Sequence, residues 1–384
     1  MPVFNNILAG ASGQATGYDI QNSLRFEDGD SAYLTRTPGS EGNRKIWTWS
    51  GWVKRGNVGT DQQIFSSAGA NHPSGADISF LGFRDVDDIA FRHYPNGGPV
   101  ALQLYTTQVF RDPSSWYHLV FVLDTTQSVE ANRAKIYVNG SQVTTFSSAT
   151  YPAQDYALAY WNSTRPQVIG NEDARLRYPF DGYLAEVRFL DGIAASPSDL
   201  GETNSATNQW VPIEYEGSYG SNGFYLKFQD SSALGDDSSG NTADFTVTNL
   251  VASDQVTDSP TQNHATLNSV DAGSGTLSEG NLKSTGTTDR SATFLLSSGK
   301  WAWKVTADAA GAFGVASNGL TGTESTYSAS SSEVLEFELD LDANTLKVRV
   351  DGGGLTSVAT GLTADAYVPL FKAACTCDFG RSGF

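Results

Sequence analysis

Short runs in which apolar and polar side chains alternate dominate this chain. Along Trp116–Asp124, Trp116, His118, Val120 and Val122 fall on one face, and Tyr117, Leu119, Phe121 and Leu123 fall on the other. A period of two with apolar residues on both sides predicts a strand held between two packed layers. Trp47–Lys54 and Lys135–Val143 read as companion strands, the latter broken at Asn139-Gly140. Asn and Gly both tolerate the positive φ of a type I′ turn, so a tight hairpin is predicted there. From Ser23 to about residue 250 the same pattern of short runs, punctuated by Gly and Asp, continues.

Residues 1–20 break that pattern, with an apolar patch at Phe4, Ile7 and Leu8 followed by small residues. They read as an arm, either a frayed terminus or a docking peptide whose apolar side chains insert into a neighbouring subunit. Residues 251–263 are polar, contain a proline and lack periodicity, which predicts a linker between a domain at 21–250 and a second at 264–384. In the second domain Lys300–Thr306, Val334–Asp340 and Thr345–Val350 are predicted strands, the last two joined by a turn at Asp342-Ala343-Asn344. Helix is predicted only as a turn at Ser196-Pro197-Ser198-Asp199-Leu200, from a serine cap followed by proline.

Composition agrees with an all-β chain: 384 residues, 39 glycines and 17% charged residues. Length favours two domains. The formal charge of −18, from 42 acidic and 24 basic residues, opposes binding to nucleic acid or anionic membranes. No apolar run is long enough to span a bilayer, so membrane insertion is not expected. Met1-Pro2-Val3-Phe4-Asn5-Asn6 lacks the basic start and apolar stretch of a secretion signal, which predicts use without export. Cys375 and Cys377, two apart on a strand, would share a face where a mutual disulfide is strained, so both are read as free core thiols. The four histidines are scattered, which argues against a zinc site.

Ser23–Leu34, Trp49-Ser50-Gly51-Trp52-Val53-Lys54, Trp116–Val120, Ile136–Gly140 and Phe180–Arg188, in that order, resemble the laminin-G and concanavalin-A-like superfamily. The resemblance implies a jelly-roll sandwich at the front of the chain. Ser298–Val305, Gly314-Val315-Ala316, Asp340–Leu346 and Cys377–Phe384 are similar to a SPRY-type β-sandwich. The two together, behind an arm with Asn5-Asn6-Ile7-Leu8-Ala9-Gly10 and with Asp237–Asn241 closing the first domain, resemble virion appendage proteins of marine tailed bacteriophages. That resemblance implies a non-enzymatic protein on the virion surface, assembled in the host cytoplasm as a homo-oligomer. Its arm would bind other virion proteins, and its loops would adhere to host cell-surface glycan. A purely architectural capsid decoration or tail component that binds no sugar is the alternative.

Three chemistries can be placed on residues. A calcium ion, which laminin-G-like domains often hold at one sandwich edge, would take Asp28, Asp30 and Asp181, although Asp181-Gly182 also suits an ordinary turn. Sugar binding needs an aromatic platform with planar hydrogen-bonding groups. Loop residues Asn71, His72 and His93 are possible contributors, and Tyr94, Asn96, Tyr160, Trp161 and Asn162 are the chief candidates, with subunit packing as the competing use. Glu338, Asp340 and Asp342 share a strand face in the manner of glycan hydrolases of this fold, a third reading that an acidic hairpin also explains. His118 lacks a strained Gly-x-Ser-x-Gly elbow and is read as a structural histidine.

Overall fold

The computed structural model describes residues 9–10, 17–69, 77–172 and 177–380. These divide into two compact units. One takes in the described residues from 17 to 112 with 116–261, and the other takes in Ala9–Gly10, 113–115 and 262–380. The expected docking residues Phe4, Ile7 and Leu8, the loop residues Asn71 and His72, and the end of the SPRY-like motif at 381–384 lie outside the described residues. No helix among the described residues is long and apolar enough to cross a membrane.

Strand β1 (Ala9–Gly10) belongs to the C-terminal unit. The N-terminal unit begins with β2 (Ser23–Phe26), β3 (Tyr33–Arg36), β4 (Ile46–Arg55), β5 (Gln62–Ala68), β6 (Ile78–Phe83) and β7 (Asp88–Tyr94). It continues through β8 (Leu102–Val109), β9 (Trp116–Asp124), β10 (Ala134–Val138), β11 (Ser141–Gln142), β12 (Phe146–Thr150) and β13 (Gln167–Ile169). Then come β14 (Gly182–Asp191), β15 (Gly201–Thr203), β16 (Trp210–Pro212), β17 (Phe224–Leu226), β18 (Thr246–Thr248) and β19 (Gln255–Val256).

Two antiparallel sheets result, in the orders β11-β10-β9-β4-β14-β2-β19 and β12-β8-β7-β6-β5-β13-β3-β18. Their facing sides share one core, in which Trp47, Trp49, Phe65, Phe91, Phe121 and Phe189 are fully buried. Strand β9 is buried on both faces, as its pattern predicts. Leu119, Phe121 and Leu123 enter that core, while Val120 and Val122 pack against Leu190, Ala195 and Leu200 on the outer side. The predicted hairpin is present, with Asn139 at φ 47° and Gly140 at φ 76° between paired Val138 and Ser141. The predicted helical turn is a 3-10 turn over Pro197–Asp199, capped by Ser196.

The segment expected to be a linker is built into this unit instead. Gln255 and Val256 pair with Leu24 and Ser23. Asp258 is fully buried, where it accepts from Lys54 Nζ at 2.9 Å and from Trp116 Nε1 at 3.2 Å. Lys54 is equally buried, so the pair sets two opposite charges together where water cannot reach. Outside the same sheet, a bulge in β14 gives Glu186 a φ of 54° and sets its carboxylate against Arg188, Tyr18 and Tyr225.

The C-terminal unit carries β20 (Asn263–His264), β21 (Leu277–Ser278), β22 (Lys283–Ser284), β23 (Arg290–Ser291), β24 (Lys300–Ala307) and β25 (Gly311–Ser317). It ends with β26 (Glu324–Ala329), β27 (Val334–Asp340), β28 (Thr345–Val350), β29 (Leu355–Thr360), β30 (Tyr367–Phe371) and β31 (Cys375–Asp378). The sheets β21-β22-β31-β24-β27-β28-β29 and β23-β30-β25-β26 enclose a core that includes Trp303, Phe313, Phe337 and Phe371, which makes a second sandwich. Strand β1 pairs with β20 in this unit. Cys375 and Cys377 are buried thiols with sulfurs 3.8 Å apart and no disulfide.

Candidate functional site

Most of the expected sugar-binding residues are structural. Trp161 is fully buried, stacked on Phe65 at 6.0 Å and edge-on to Trp47 at 5.2 Å. Asn162 is also buried, donating to Asn43 O at 3.1 Å and to Asp191 Oδ1 at 2.5 Å. Tyr160 spends its hydroxyl on Asp77 and on the amide of Asn96, and His93 is sealed beneath it. The aromatic run thus plugs the core from its edge, and it offers no platform. Tyr94 and Asn96 remain partly or fully exposed. His118 is clamped between Trp52 and Trp210, and its Nδ1 accepts from Trp210 Nε1 at 2.9 Å. An indole N–H only donates, so the proton sits on His118 Nε2 and points at Ser50 Oγ, 2.9 Å away. In that tautomer the ring cannot take a proton from the serine, and the histidine is structural.

The acidic run Glu338, Asp340 and Asp342 is occupied with its neighbours. Lys300 Nζ lies 2.5 Å from Asp340 and holds its carboxyl below the usual range, and Arg349 reaches Glu338 at 3.8 Å. Asp340 Oδ1 accepts the amides of Asp342 and Ala343, closing the hairpin turn. Ion pairs and turn hydrogen bonds thus engage Asp340 and Glu338 within the hairpin.

Of the three carboxylates expected to hold calcium, the structure brings Asp28 and Asp181 together, with Glu27 in the place of Asp30. Glu27, Asp28 and Asp181 bring ligand oxygens within 4.8 Å of one another, whereas Asp30 is exposed and outside the cluster. Asp181 is 1% exposed, and neither carboxylate oxygen has a hydrogen-bond partner; the amides of Asp28 and Asn57 face it without good geometry. Burial first, then the charges of Glu27 and Asp28, push its carboxyl well above the ordinary value. The backbone is shaped to the carboxylate: a Cβ on Gly56 would lie 1.7 Å from Asp181 Oδ1. Three converging carboxylates, one buried and unsatisfied, fit a hard oxygen-ligated cation such as Ca²⁺, whose charge would remove the mutual repulsion. Asn57 donates to Asp28 Oδ2 at 3.1 Å, and Asn57 O faces Gln62 Nε2 at 3.3 Å.

Beside Gln62 the outward face of the second sheet carries a groove of about 220 Å³. Two cross-strand rows build it, Gln63–Gly82–Ala90–Tyr105 and Ser66–Phe80–Arg92–Gln103. Gln63 and Tyr105 from the first row and Phe80 and Arg92 from the second line it. Alternation sends the neighbours Leu81, Phe91 and Leu104 into the core. Tyr105 carries the Arg84 guanidinium 3.9 Å above its ring, and Arg84 is in turn paired with Asp88. Gln63 is 4% exposed, and its Oε1 has no hydrogen-bond partner. The volume is below the roughly 300–1,000 Å³ typical of drug-sized ligands, which suits a single ring in an open surface groove. Sequence reading missed these residues because they converge only through strand register.

Residues 28–200 match the family model of the concanavalin A-like lectin/glucanases superfamily. The N-terminal unit has a laminin-G/concanavalin-A-like fold. Similar solved structures include a heptameric SAP-like pentraxin from Limulus polyphemus, at 16% identity and TM-score 0.33, covering 45% of this chain and 78% of that one. A carbohydrate-binding protein described as putative, from Bacteroides ovatus, is 14% identical with TM-score 0.37 and 61% of each chain covered. Domains LG4-5 of mouse laminin alpha1 are 10% identical with TM-score 0.36, covering 94% of this chain and 90% of that one. No curated protein matches the chain. It is the family match, rather than these distant likenesses, that places the laminin-G-like domain in a lectin-type fold.

Proposed function

We propose that this chain is a non-enzymatic protein of a tailed-bacteriophage particle surface that adheres to host-surface glycan through its laminin-G-like domain. The observation that carries the adhesive part is the groove on the outward sheet face, which the rings of Phe80 and Tyr105 and the side chain of Gln63, with its unsatisfied Oε1, line together. An apolar ring beside planar hydrogen-bonding groups is what a sugar, apolar on one face and hydroxylated at its rim, requires. A lectin-type fold supports the reading, and the ion-paired state of Asp340 and Glu338 supports a role without hydrolysis. The virion part rests on the resemblance of the arm and paired sandwiches to phage appendage proteins. In it, Phe4, Ile7 and Leu8 dock the arm on other virion proteins, and the second sandwich is SPRY-like. Several copies per particle, as a homo-oligomer, turn weak contacts into avidity.

The test is binding of the full chain to a glycan array and to host cells, with Phe80→Ala alongside. Saturable binding that weakens about tenfold or more in the variant is expected. Absence of binding by the wild type would overturn adhesion in favour of the architectural role.

A further inference from the structure

We infer that the sugar taken by this groove is anionic, its carboxylate or sulfate meeting the guanidinium of Arg92. The inference rests on the adhesive reading above and names the class of glycan. Each of the other two arginines lining the groove is already paired: Arg84 with Asp88, and Arg177 with Glu172 at 3.3 Å. Arg92 makes no ion pair with a described residue, and its buried Nε has no hydrogen-bond partner. That is unusual in a chain with 42 acidic and 24 basic residues, where carboxylates are abundant. The guanidinium lies over the Tyr94 ring at 5.2 Å, a stacking that orients its plane and leaves N–H donors unspent. Planar, paired donors of this kind match the two oxygens of a carboxylate or two of a sulfate.

Its position in the sheet completes the reading. Arg92 stands between Phe80 and Gln103 across the strands, and Gln63 Oε1, an acceptor without a donor, belongs to the adjacent row. The groove therefore offers a cation, an apolar ring and an acceptor for a hydroxyl, which together describe an acidic hexose better than a neutral one. Nor does the overall charge of −18 oppose this. At physiological ionic strength charges beyond about 8 Å are screened, and the lining itself carries three arginines against the carboxylates of Asp61 and Glu172.

The experiment is calorimetric titration of the full chain with three probes: oligogalacturonate for a carboxylate, sulfated dextran oligosaccharide for a sulfate, and dextran as the neutral control. Wild type is expected to bind at least one anionic probe tenfold or more tightly than dextran, and the preferred anion identifies the source. Arg92→Gln should lower that affinity to the dextran level while leaving dextran unchanged, and Arg92→Lys should keep part of the preference; melting curves of both variants establish that they fold. Equal binding of all three probes, or a preference that survives in Arg92→Gln, overturns the inference and leaves glycan adhesion standing. Failure of every probe together with an empty glycan array overturns both.

Discussion

Lowering the pH from 7 to 5 should remove about 4 kcal/mol of stability from the laminin-G-like domain, through two histidines that the fold locks in the neutral form. Ala159 N donates toward His93 Nε2 at 3.4 Å, so Nδ1 carries the proton and gives it to Ser79 Oγ at 2.7 Å. His118 is fixed the opposite way, Nδ1 accepting from Trp210 and Nε2 donating to Ser50. A second proton on either ring would set N–H against N–H in a buried site, and burial lowers both from the ordinary 6.5 to about 3. Because these folded values are depressed, the unfolded chain binds the extra protons between about pH 3 and 6.5, and stability falls as pH falls through that window. Each histidine contributes a slope of about 1.4 kcal/mol per pH unit well inside the window, hence about 2 kcal/mol at pH 5. Asp181, whose carboxyl burial raises, acts in the opposite sense, so the difference between proteins is the measured quantity. Urea unfolding of wild type, His93→Gln, His118→Gln and the double variant at pH 7, 6 and 5 provides it. The double variant should lose most of the acid sensitivity in that range. An unchanged slope, or imidazole titration near pH 6 in the folded protein by NMR, would refute the reasoning.

Calcium at about a hundred times its dissociation constant should raise the melting transition of the first sandwich by about 5–10 °C, and Asp181→Asn should abolish that shift. A calorimetric scan with calcium and with chelator reads both. Asp258→Ala removes the carboxylate facing the buried Lys54 ammonium and should cost about 3–5 kcal/mol in denaturant unfolding, and a chain ending at residue 250 should be destabilised at least as much. Trp161→Ala should cost about 3–5 kcal/mol by opening a core cavity, yet at temperatures where the variant stays folded its glycan affinity should match wild type, measured by the same titration.

Periodicity and turn chemistry made the strands readable in the sequence. Val334–Asp340 and Thr345–Val350 stand where they were expected, as does the Asn139-Gly140 turn, because each depends on residues within a few positions. Long-range closure was not readable. Trp161 ends a run without alternation and is followed by Asn162, Ser163 and Thr164, so it reads as a surface loop, and only the distant Phe65 and Trp47 reveal it as core. Asp258 looks like linker because its partner, Lys54, is 204 residues away. At the cation cluster Asp181 was legible as a loop carboxylate, but the turn after β2 directs Glu27 rather than Asp30 toward it. The groove residues Phe80 and Arg92 lie on different strands and meet only when β6 and β7 are in register.

The placement of β2 bears on how the protein is made. Its residues pair with Gly182–Leu184 on one side and with Gln255–Val256 on the other. A ribosome emitting about 5–20 residues per second needs roughly ten to fifty seconds to pass from β2 itself to Val256. Through that interval the earliest strand of the sandwich is synthesised but cannot be fully paired, so the domain completes its fold late in translation. Fusions or truncations that separate residues 251–261 from the rest would leave the nascent chain with an open sheet edge, the state in which strands find the wrong partner.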